Sequence, residues 1–413
     1  MAEKTLKKNL SWTTAGMVLY NFAIWIMSVL ILRILGADES GYYAVATSIG
    51  NTLYALALFG MRTYLVTDTD NEYTFGEYTA ARISAVVLAF VILIIIAFGS
   101  GYDSMQRNIL ILYSVFKLFE AMTELMDCFG QQKLTMDINA KSMILRSIIY
   151  TAVFTAVLLA AHSLALGFAV LSVCSALIFF FYNYRRISAI VETDHRLRWN
   201  AHTVQIFVKC LPIMIFEMLA ALVVALPRLY YERIGRLDAL GIYTSIYTMV
   251  VFLQLVINVL IYTLAPYMSR SWNSRDRKQF VKYIVILFAG AAAMGAAAEA
   301  LTYLMGSFAM GIIYGEAGRL YYGYLYLGII SGVTLSFTWI FSQLFVIIGR
   351  NYHQLICSGV STAACWFLSA VMVRASDCNT ISAVLILTNL VFMICAAVLL
   401  LREGRRNGNS VLR

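Results

Sequence analysis

Apolar segments of membrane-spanning length follow one another along the chain, and they constrain its fold more than any other feature. A helix that crosses the bilayer needs roughly 20 mostly apolar residues. With 61% hydrophobic and 13% charged residues, the chain has too little polar surface to cover a soluble protein of 413 residues. We therefore predict an all-α integral membrane protein with twelve transmembrane helices, at 11–32, 43–65, 83–100, 108–128, 143–161, 163–183, 208–231, 241–265, 282–304, 320–347, 354–373 and 380–401.

The positions of lysine and arginine support this count. With the N-terminus in the cytoplasm and the helices alternating in direction, 23 of the 31 Lys and Arg residues fall on the cytoplasmic side, seven fall outside, and Lys117 falls within a helix. Cytoplasmic loops of membrane proteins carry such an excess. The map predicts that both termini are cytoplasmic. It also explains the net charge of +9 without a nucleic-acid partner.

A short pattern at the end of the first apolar segment occurs again at the end of the seventh. Arg33, Ile34, Asp38, Gly41 and Tyr43 recur as Arg233, Ile234, Asp238, Gly241 and Tyr243. The repeat predicts two pseudo-symmetric six-helix lobes around a central cavity, an arrangement in which transporters bind substrate between the copies. The predicted boundaries are 1–184 for the first lobe, 185–207 for a cytoplasmic interlobe linker, 208–401 for the second lobe and 402–413 for a cytoplasmic tail.

The fourth segment carries the densest set of charges, Lys117, Glu120, Glu124 and Asp127. Their spacing places all four on one helical face, and ionisable groups at membrane depth face the bundle interior or a water-filled cavity. For the first three we favour a polar lining, in which Lys117 meets an anionic ligand and Glu120 or Glu124 exchanges protons. The alternative, favoured for Asp127, is a structural role, with Lys117 paired to Glu120 or Glu124 and Asp127 solvated.

Four further ionisable residues are candidates for function. Glu217 is a single carboxylate within the seventh segment, and we assign it to the cavity. Arg62, Arg146 and Arg228 lie at or just inside helix ends. Each guanidinium can bind a phosphate through two parallel hydrogen bonds, or it can extend to the lipid head groups.

Other polar features have simpler explanations than catalysis. The four histidines and seven cysteines show no metal-ligand spacing, so we expect neither a metal site nor a cofactor. The acidic pair Asp38-Glu39 could bind a metal in a membrane glycosyltransferase, but its match with Asp238 favours a role in a turn. A group of tyrosines favours an interfacial aromatic belt over stacking on sugar rings: Tyr321, Tyr322, Tyr324 and Tyr326.

Several short motifs carry a family resemblance. Residues 9–60 contain Arg33-Ile34-Leu35-Gly36 followed by Gly41-Tyr42-Tyr43, and the second copy contains Arg233-Ile234-Gly235 followed by Leu240-Gly241-Ile242-Tyr243. Together with Tyr314-Gly315-Glu316, these motifs resemble oligosaccharide flippases of bacterial polysaccharide biosynthesis, in the multidrug/oligosaccharidyl-lipid/polysaccharide exporter superfamily. Two features depart from the family: Pro227 stands where an acidic residue commonly precedes the cation of the seventh segment, and many relatives have more helices.

The resemblance implies a non-enzymatic flippase that moves undecaprenyl-diphosphate-linked oligosaccharide to the outer leaflet for capsule, O-antigen or exopolysaccharide assembly. Its partners would be the lipid-linked oligosaccharide, membrane lipids and a coupling ion, either a proton or sodium, in the bacterial cytoplasmic membrane. On this interpretation the diphosphate-binding residues are Lys117, Arg62, Arg146 and Arg228, and the ion-coupling residues are Glu120, Glu124 and Glu217.

Three alternatives remain open at this point. A drug or cation antiporter of the same superfamily would need a net acidic cavity, which the carboxylates of the fourth and seventh segments could supply. A precursor flippase for peptidoglycan would share the chemistry of the substrate. A membrane glycosyltransferase or polymerase is disfavoured, because such enzymes usually carry a large external loop or domain and every external loop here is short.

Overall fold

The computed structural model describes residues 2–68, 70–374 and 376–406. Within these ranges the chain forms α-helices, with short π-helical segments at Ile31–Leu35 and Phe179–Tyr184, and it contains one isolated β-bridge between Arg374 and Asp377 and no longer strand. It divides into two compact units, Met1–Ala221 (unit 1) and Leu222–Arg413 (unit 2). The helices are α1 Ala2–Leu30, α2 Ala37–Leu58, α3 Met61–Thr67, α4 Phe75–Gly99, α5 Ser104–Gln132, α6 Met136–Ala161, α7 Leu164–Ile178, α8 Arg185–Ser188, α9 Ala201–Ile234, α10 Leu237–Asn273, α11 Arg277–Tyr321, α12 Tyr324–Ile348, α13 Asn351–Met372 and α14 Asn379–Arg406.

The helices confirm the prediction of an all-α integral membrane protein. In the described part of the chain, eleven helical segments are long and apolar enough to cross a membrane. The twelfth long helix is α5, which falls outside that set because of its charged side chains. Since α5 packs against α2, α3, α4, α6 and α7, most of its charged face lies inside unit 1 instead of meeting lipid.

Two predicted segments differ from the helices observed. The second predicted segment, 43–65, is broken between α2 and α3, where Phe59 and Gly60 both adopt left-handed backbone angles. A side chain at Gly60 would lie 2.7 Å from Ile213 of α9, so this close approach requires glycine. The predicted start of the tenth segment at 320 is also wrong, because residues 316–321 form the end of α11 after a sharp turn at Gly315.

The two units repeat one pattern of helix packing. In unit 1, α2 packs on α4 and α5, α5 packs on α4 and α7, and α6 packs on α7. In unit 2, α10 packs on α11 and α12, α12 packs on α11 and α14, and α13 packs on α14. When the six long helices of each copy are numbered in chain order, every contact named for the first copy has a counterpart between the same-numbered helices of the second. The chain is therefore built from two copies of one helical unit.

The repeated tyrosine occupies the same place in both copies. The ring of Tyr43 lies 5.8 Å from the ring of Phe168 on α7 and 5.8 Å from a tyrosine ring on α5. Tyr243 lies 5.8 Å from a tyrosine ring on α12, and its hydroxyl lies 2.7 Å from Ser382 on α14. Tyr43 is buried where α2 meets α5 and α7, and Tyr243 is buried at the equivalent place, where α10 meets α12 and α14. The short sequence repeat therefore marks equivalent positions in the fold.

The connection between α8 and α9 is fixed to unit 1. The backbone N–H of Gly76, at the start of α4, donates to the carbonyl of Asp194 at 2.9 Å, and Asn200 donates to Glu77 at 2.7 Å. The backbone N–H of Arg196 donates to the carboxylate of Asp194, which holds the pKa of Asp194 below its usual range. A side chain at Gly76 would lie 2.0 Å from the Arg196 carbonyl oxygen. The connection therefore lies directly on the α4 backbone.

The predicted lobe boundaries stay predictions. The compact units divide inside α9, after Ala221, and not in the segment 185–207 that we assigned to a linker. Of that segment, the first four residues form α8 and the last seven belong to α9. The predicted tail, 402–413, continues α14 as far as Arg406, and its residues 407–413 lie outside the described residues.

Candidate functional site

The four ionisable side chains predicted on one face of the fourth segment lie on a continuous helix, α5. Asp103 starts this helix by accepting a hydrogen bond from the backbone N–H of Gln106 at 2.6 Å. Glu120 and Asp127 are buried, whereas Lys117 and Glu124 are partly exposed. The charged face of α5 meets charged or hydroxyl side chains from α1, α3, α4, α6 and α7, so unit 1 has an ionic interior.

Glu120 is the most heavily bonded of these carboxylates. Arg146 of α6 donates to Glu120 Oε2 at 2.8 Å, and Tyr150 of the same helix donates to Oε1 at 2.6 Å. Ser175 donates to Oε1 at 3.2 Å, and the hydroxyl of Tyr20 donates to Oε2. A carboxylate with four donors is fully satisfied without a ligand.

Arg146 is shared between two carboxylates. Besides Glu120, it donates through its other terminal nitrogen to Asp127 Oδ2 at 3.2 Å. All three side chains are buried. The solvated Asp127 of our structural alternative is therefore wrong, because Asp127 is an internal partner of Arg146. These three side chains form a buried ion cluster, in which the Nε of Arg146 is left without a hydrogen-bond partner among the described residues.

A second cluster is centred on Glu124. Its Oε1 accepts from Arg62 at 2.7 Å, and its Oε2 accepts from Arg82 at 2.8 Å. The Arg82 side chain is 0% exposed, and it also donates to the carbonyl of Ala57 at 3.3 Å. Arg62 is 48% exposed and makes a further hydrogen bond to Gln131 at 2.8 Å.

Arg82 was missed by the sequence reasoning. It stands at the first turns of an apolar segment, where we counted it as a cytoplasmic loop charge. Two sequence features could have indicated that Arg82 is buried: it follows two alanines, and the fourth segment carries several carboxylates that need cations. Neither feature identifies Glu124 as the partner of Arg82. Since Arg82 is fully buried on Glu124, it belongs to the interior of unit 1.

Lys117 is placed differently from the arginines. Its ammonium lies 4.2 Å from the centre of the Tyr54 ring, and within the described residues it forms no ion pair. The pairing with Glu120 or Glu124 that our alternative required is therefore wrong. One turn away, Tyr113 of α5 donates to Asn51 of α2 at 3.1 Å. Lys117 thus lies at a polar contact between α2 and α5, where no described carboxylate is within ion-pair distance of its ammonium.

Arg228, in the part of α9 that belongs to unit 2, is a buried cation. Its side chain is 8% exposed, and its guanidinium lies 5.1 Å from the centre of the Tyr247 ring. Its Nε has no hydrogen-bond partner, and no ion pair involves it among the residues described. Tyr247 in turn accepts a hydrogen bond from Ser331 at 3.2 Å, so the ring against which the guanidinium lies is itself held in place.

Glu217 differs from the other predicted ion-coupling residues. It lies in the unit 1 part of α9, is partly exposed, and has a buried Oε2 without a hydrogen-bond partner. The charged groups that act on it are Glu124, Arg82 and Arg62. Glu217 is thus an acidic group with free hydrogen-bonding capacity beside the second cluster. In the described part of the chain, no group of three or more His, Cys, Asp or Glu side chains is arranged to hold a metal ion.

The predicted site residues therefore separate into two kinds. Two carboxylates, Glu120 and Glu124, are ion-paired with arginines in clusters that include Arg146 and Arg62. Lys117 and Arg228 form no ion pair in the described chain. An unpaired guanidinium or ammonium is the group that an anionic ligand can neutralise. Glu217 is the matching unpartnered acid.

Unit 2 contains no counterpart of these clusters in its described interior. The helix α12, equivalent to α5, carries buried hydroxyls such as Ser331 and Thr334, and Asn389 of α14 donates to Thr334 at 3.1 Å. Its α10–α12 core is apolar, with Leu287 and Ile340 fully buried. The two copies share a fold but differ in the polarity of their interiors.

Comparison with known proteins identifies relatives in sequence and in fold. Residues 6–272 match the family model described as polysaccharide biosynthesis protein. The capsular polysaccharide biosynthesis protein CapF of Staphylococcus aureus is 22% identical over 314 residues, which cover 75% of this chain and 77% of CapF.

Two solved transporter structures share the fold. The lipid II flippase MurJ, in an inward closed conformation, has a TM-score of 0.73 at 10% identity, covering 94% of this chain and 86% of that chain. An inward-facing multidrug resistance transporter of the MATE family has a TM-score of 0.68 at 13% identity, covering 92% of each chain. At sequence identities this low, the structural similarity establishes the fold and does not identify the substrate.

Proposed function

We propose a function from one premise: the chain belongs to the polysaccharide biosynthesis protein family. It is a flippase that carries undecaprenyl-diphosphate-linked oligosaccharide across the bacterial cytoplasmic membrane by alternating access, for capsule, O-antigen or exopolysaccharide assembly. Both termini lie in the cytoplasm, and no covalent bond is made or broken. The relatives named for capsular polysaccharide biosynthesis and lipid II flipping support a lipid-linked sugar as the cargo.

The observation that carries the proposal is the pair of cations without carboxylates. Lys117 and Arg228 are held against tyrosine rings, and neither forms an ion pair in the described chain, although Glu120, one turn along α5, still acts electrostatically on Lys117. Keeping an unpaired cation at membrane depth is costly. A diphosphate offers the missing negative charge, and it binds guanidinium and ammonium groups through strong charged hydrogen bonds. In this proposal Lys117 in unit 1 and Arg228 in unit 2 are each a candidate group for binding the diphosphate.

The paired arginines take a different role. Arg146 and Arg62 are neutralised by Glu120, Asp127 and Glu124, so a diphosphate would have to compete with buried carboxylates to reach them. We assign them to the frame that positions α5 and therefore Lys117. For ion coupling, the free oxygen favours Glu217 over Glu120 and Glu124, since only a carboxylate with spare capacity can accept a proton or sodium ion without breaking a cluster.

A drug or cation antiporter is the second function to weigh. The MATE family neighbour shares the architecture, and Glu217 is an unpartnered acid of the kind that a cationic substrate needs. Against it, each unit also holds a cation without an ion-pair partner in the described chain, Lys117 in unit 1 and Arg228 in unit 2, and these cations would repel a cationic drug. A flippase gives a role to Lys117 and Arg228 as well as to Glu217, whereas an antiporter for cations gives a role to Glu217 alone.

The test is complementation of a strain that lacks this gene. Lys117→Ala and Arg228→Ala should each reduce surface polysaccharide strongly, and the double variant should abolish it, while the amount of protein in the membrane stays unchanged. Lys141→Ala and Arg233→Ala are the matched controls, because both remove an exposed cation from the same two units. Full polysaccharide output from the double variant would refute the diphosphate site, and altered drug tolerance with normal polysaccharide would favour the antiporter.

A further inference from the structure

The outer end of α11 folds back on itself. The helix continues to Tyr314, and Gly315 then takes a left-handed φ of 70° that reverses the chain. A side chain at Gly318 would lie 2.2 Å from the carbonyl oxygen of Met310, so the returning turn packs directly on the backbone it has just left. The charge map of the sequence places this hairpin on the external side of the membrane.

A cleft of about 750 Å³ lies along the hairpin, within unit 2. The α11 side of the cleft contributes Tyr303, Ser307 and Phe308, and the returning turn contributes Glu316 and Arg319. Leu304, Phe308 and Ile312, which also line it, are exposed, as expected for side chains that face lipid. The cleft therefore has an apolar wall and a polar end, at the level where an aromatic belt marks the membrane interface.

The polar end holds two opposite charges that are not paired. Glu316 and Arg319 both line the cleft, yet neither forms an ion pair or a hydrogen bond with the other or with any residue that the structure describes. Two residues three apart on a helical turn share a face. A ligand in this cleft would meet one positive and one negative group side by side, so its own charges should also be one of each sign.

We propose that this cleft binds a zwitterionic phospholipid with a primary ammonium group, of the phosphatidylethanolamine class. Arg319 binds the phosphate through its guanidinium, and Glu316 accepts hydrogen bonds from the ammonium. Tyr303 and Tyr322 flank the headgroup, and the acyl chains follow Leu304, Phe308 and Ile312 into the bilayer. An anionic phospholipid would satisfy Arg319 but would leave Glu316 beside a second negative charge. The site is independent of the transported molecule.

Native mass spectrometry of the full-length protein in detergent, titrated with single lipids, tests the proposal. The wild-type protein should retain phosphatidylethanolamine in preference to phosphatidylglycerol and phosphatidylcholine, whose headgroups lack the primary ammonium. Arg319→Gln and Glu316→Gln should each weaken phosphatidylethanolamine binding about tenfold, the effect of losing one charged hydrogen bond. Glu316→Gln should also remove the discrimination against phosphatidylglycerol.

Matched variants separate this site from general charge effects. Arg236→Gln and Asp238→Asn remove an exposed cation and a carboxylate elsewhere in unit 2, and they should bind lipid like the wild type. Gly311→Trp fills the cleft without changing its charge and should displace the lipid. Equal wild-type retention of phosphatidylglycerol, wild-type binding by Glu316→Gln and Arg319→Gln, or displacement of phosphatidylethanolamine by a polyprenyl diphosphate would each overturn the proposal.

Discussion

Arg146 of α6 and Glu120 of α5 form an ion pair of 2.8 Å inside unit 1, with 5% and 4% of their side chains exposed. Asp127 takes the other terminal nitrogen of the same guanidinium at 3.2 Å. From the sequence, we assigned Arg146 to substrate binding and Glu120 to ion coupling. Because the two charges neutralise each other inside the unit, we infer that they stabilise the helix bundle.

Arg146→Ala should destabilise the protein more than any change at Lys117. Removing one partner of a buried ion pair leaves an uncompensated charge and costs about 3–5 kcal/mol, whereas Lys117→Ala removes only a cation–π contact worth about 0.5–2 kcal/mol. Thermal unfolding in detergent, with Lys141→Ala as the exposed control, measures the difference. An Arg146→Ala protein as stable as Lys141→Ala would contradict the structural role.

Arg82→Ala and Arg62→Ala should differ, although both remove a partner of Glu124. Arg82 is fully buried and Arg62 is half exposed, so the loss should be about 3–5 kcal/mol for Arg82 and about 0–1 kcal/mol for Arg62. The comparison uses the same unfolding measurement. If Arg62→Ala were the more harmful, Arg62 would be acting on something other than the stability of unit 1.

Glu217→Gln should uncouple transport from its ion gradient without destabilising the protein. The buried Oε2 has no partner to lose, and a neutral amide cannot accept a proton. Substrate transport into vesicles, with and without an imposed proton or sodium gradient, measures the coupling. Glu299→Gln is the control, because Glu299 also has a buried oxygen without a partner but lies in unit 2. Gradient-dependent transport by Glu217→Gln would remove Glu217 from the proposal.

Gly76→Ala should release the connection before α9 from unit 1. The new methyl group would lie 2.0 Å from the Arg196 carbonyl oxygen, so the connection must move away and lose its bond to the Gly76 N–H. Trypsin cleaves after arginine, and Arg196 and Arg198 should then be cut faster. Gly99→Ala is the control, since nothing lies within 4 Å of its added carbon. Identical cleavage of the two variants would show that the contact does not hold the connection.

The number of helices and the face on which the charges lie could be predicted from the sequence, because both depend on patterns within a single segment and not on contacts between segments. Apolar length predicts helices, and the spacing of Lys117, Glu120, Glu124 and Asp127 predicts a shared face. The repeat from Arg33 to Tyr43 gave the equivalence of the copies, which the packing of Tyr43 and Tyr243 confirms.

The pairing of the charges could not be predicted, because it is set by contacts between helices far apart in the chain. Nothing local distinguishes Arg82, which is buried on Glu124, from Arg62, which reaches the same carboxylate from the surface. Nor does hydropathy reveal the break at Phe59 and Gly60, because the cause is the approach of Ile213 from α9. Such features follow from tertiary packing.

The low hydropathy of α5 has a consequence for how the protein enters the membrane. Its charges keep α5 out of the set of eleven segments apolar enough to span alone, yet the arginine that neutralises Glu120 and Asp127 is carried by α6 and is synthesised later. A segment whose carboxylates lack their arginine is costly to place in lipid. We therefore expect α5 to enter the bilayer together with α6, so that Arg146 neutralises Glu120 and Asp127 during membrane insertion.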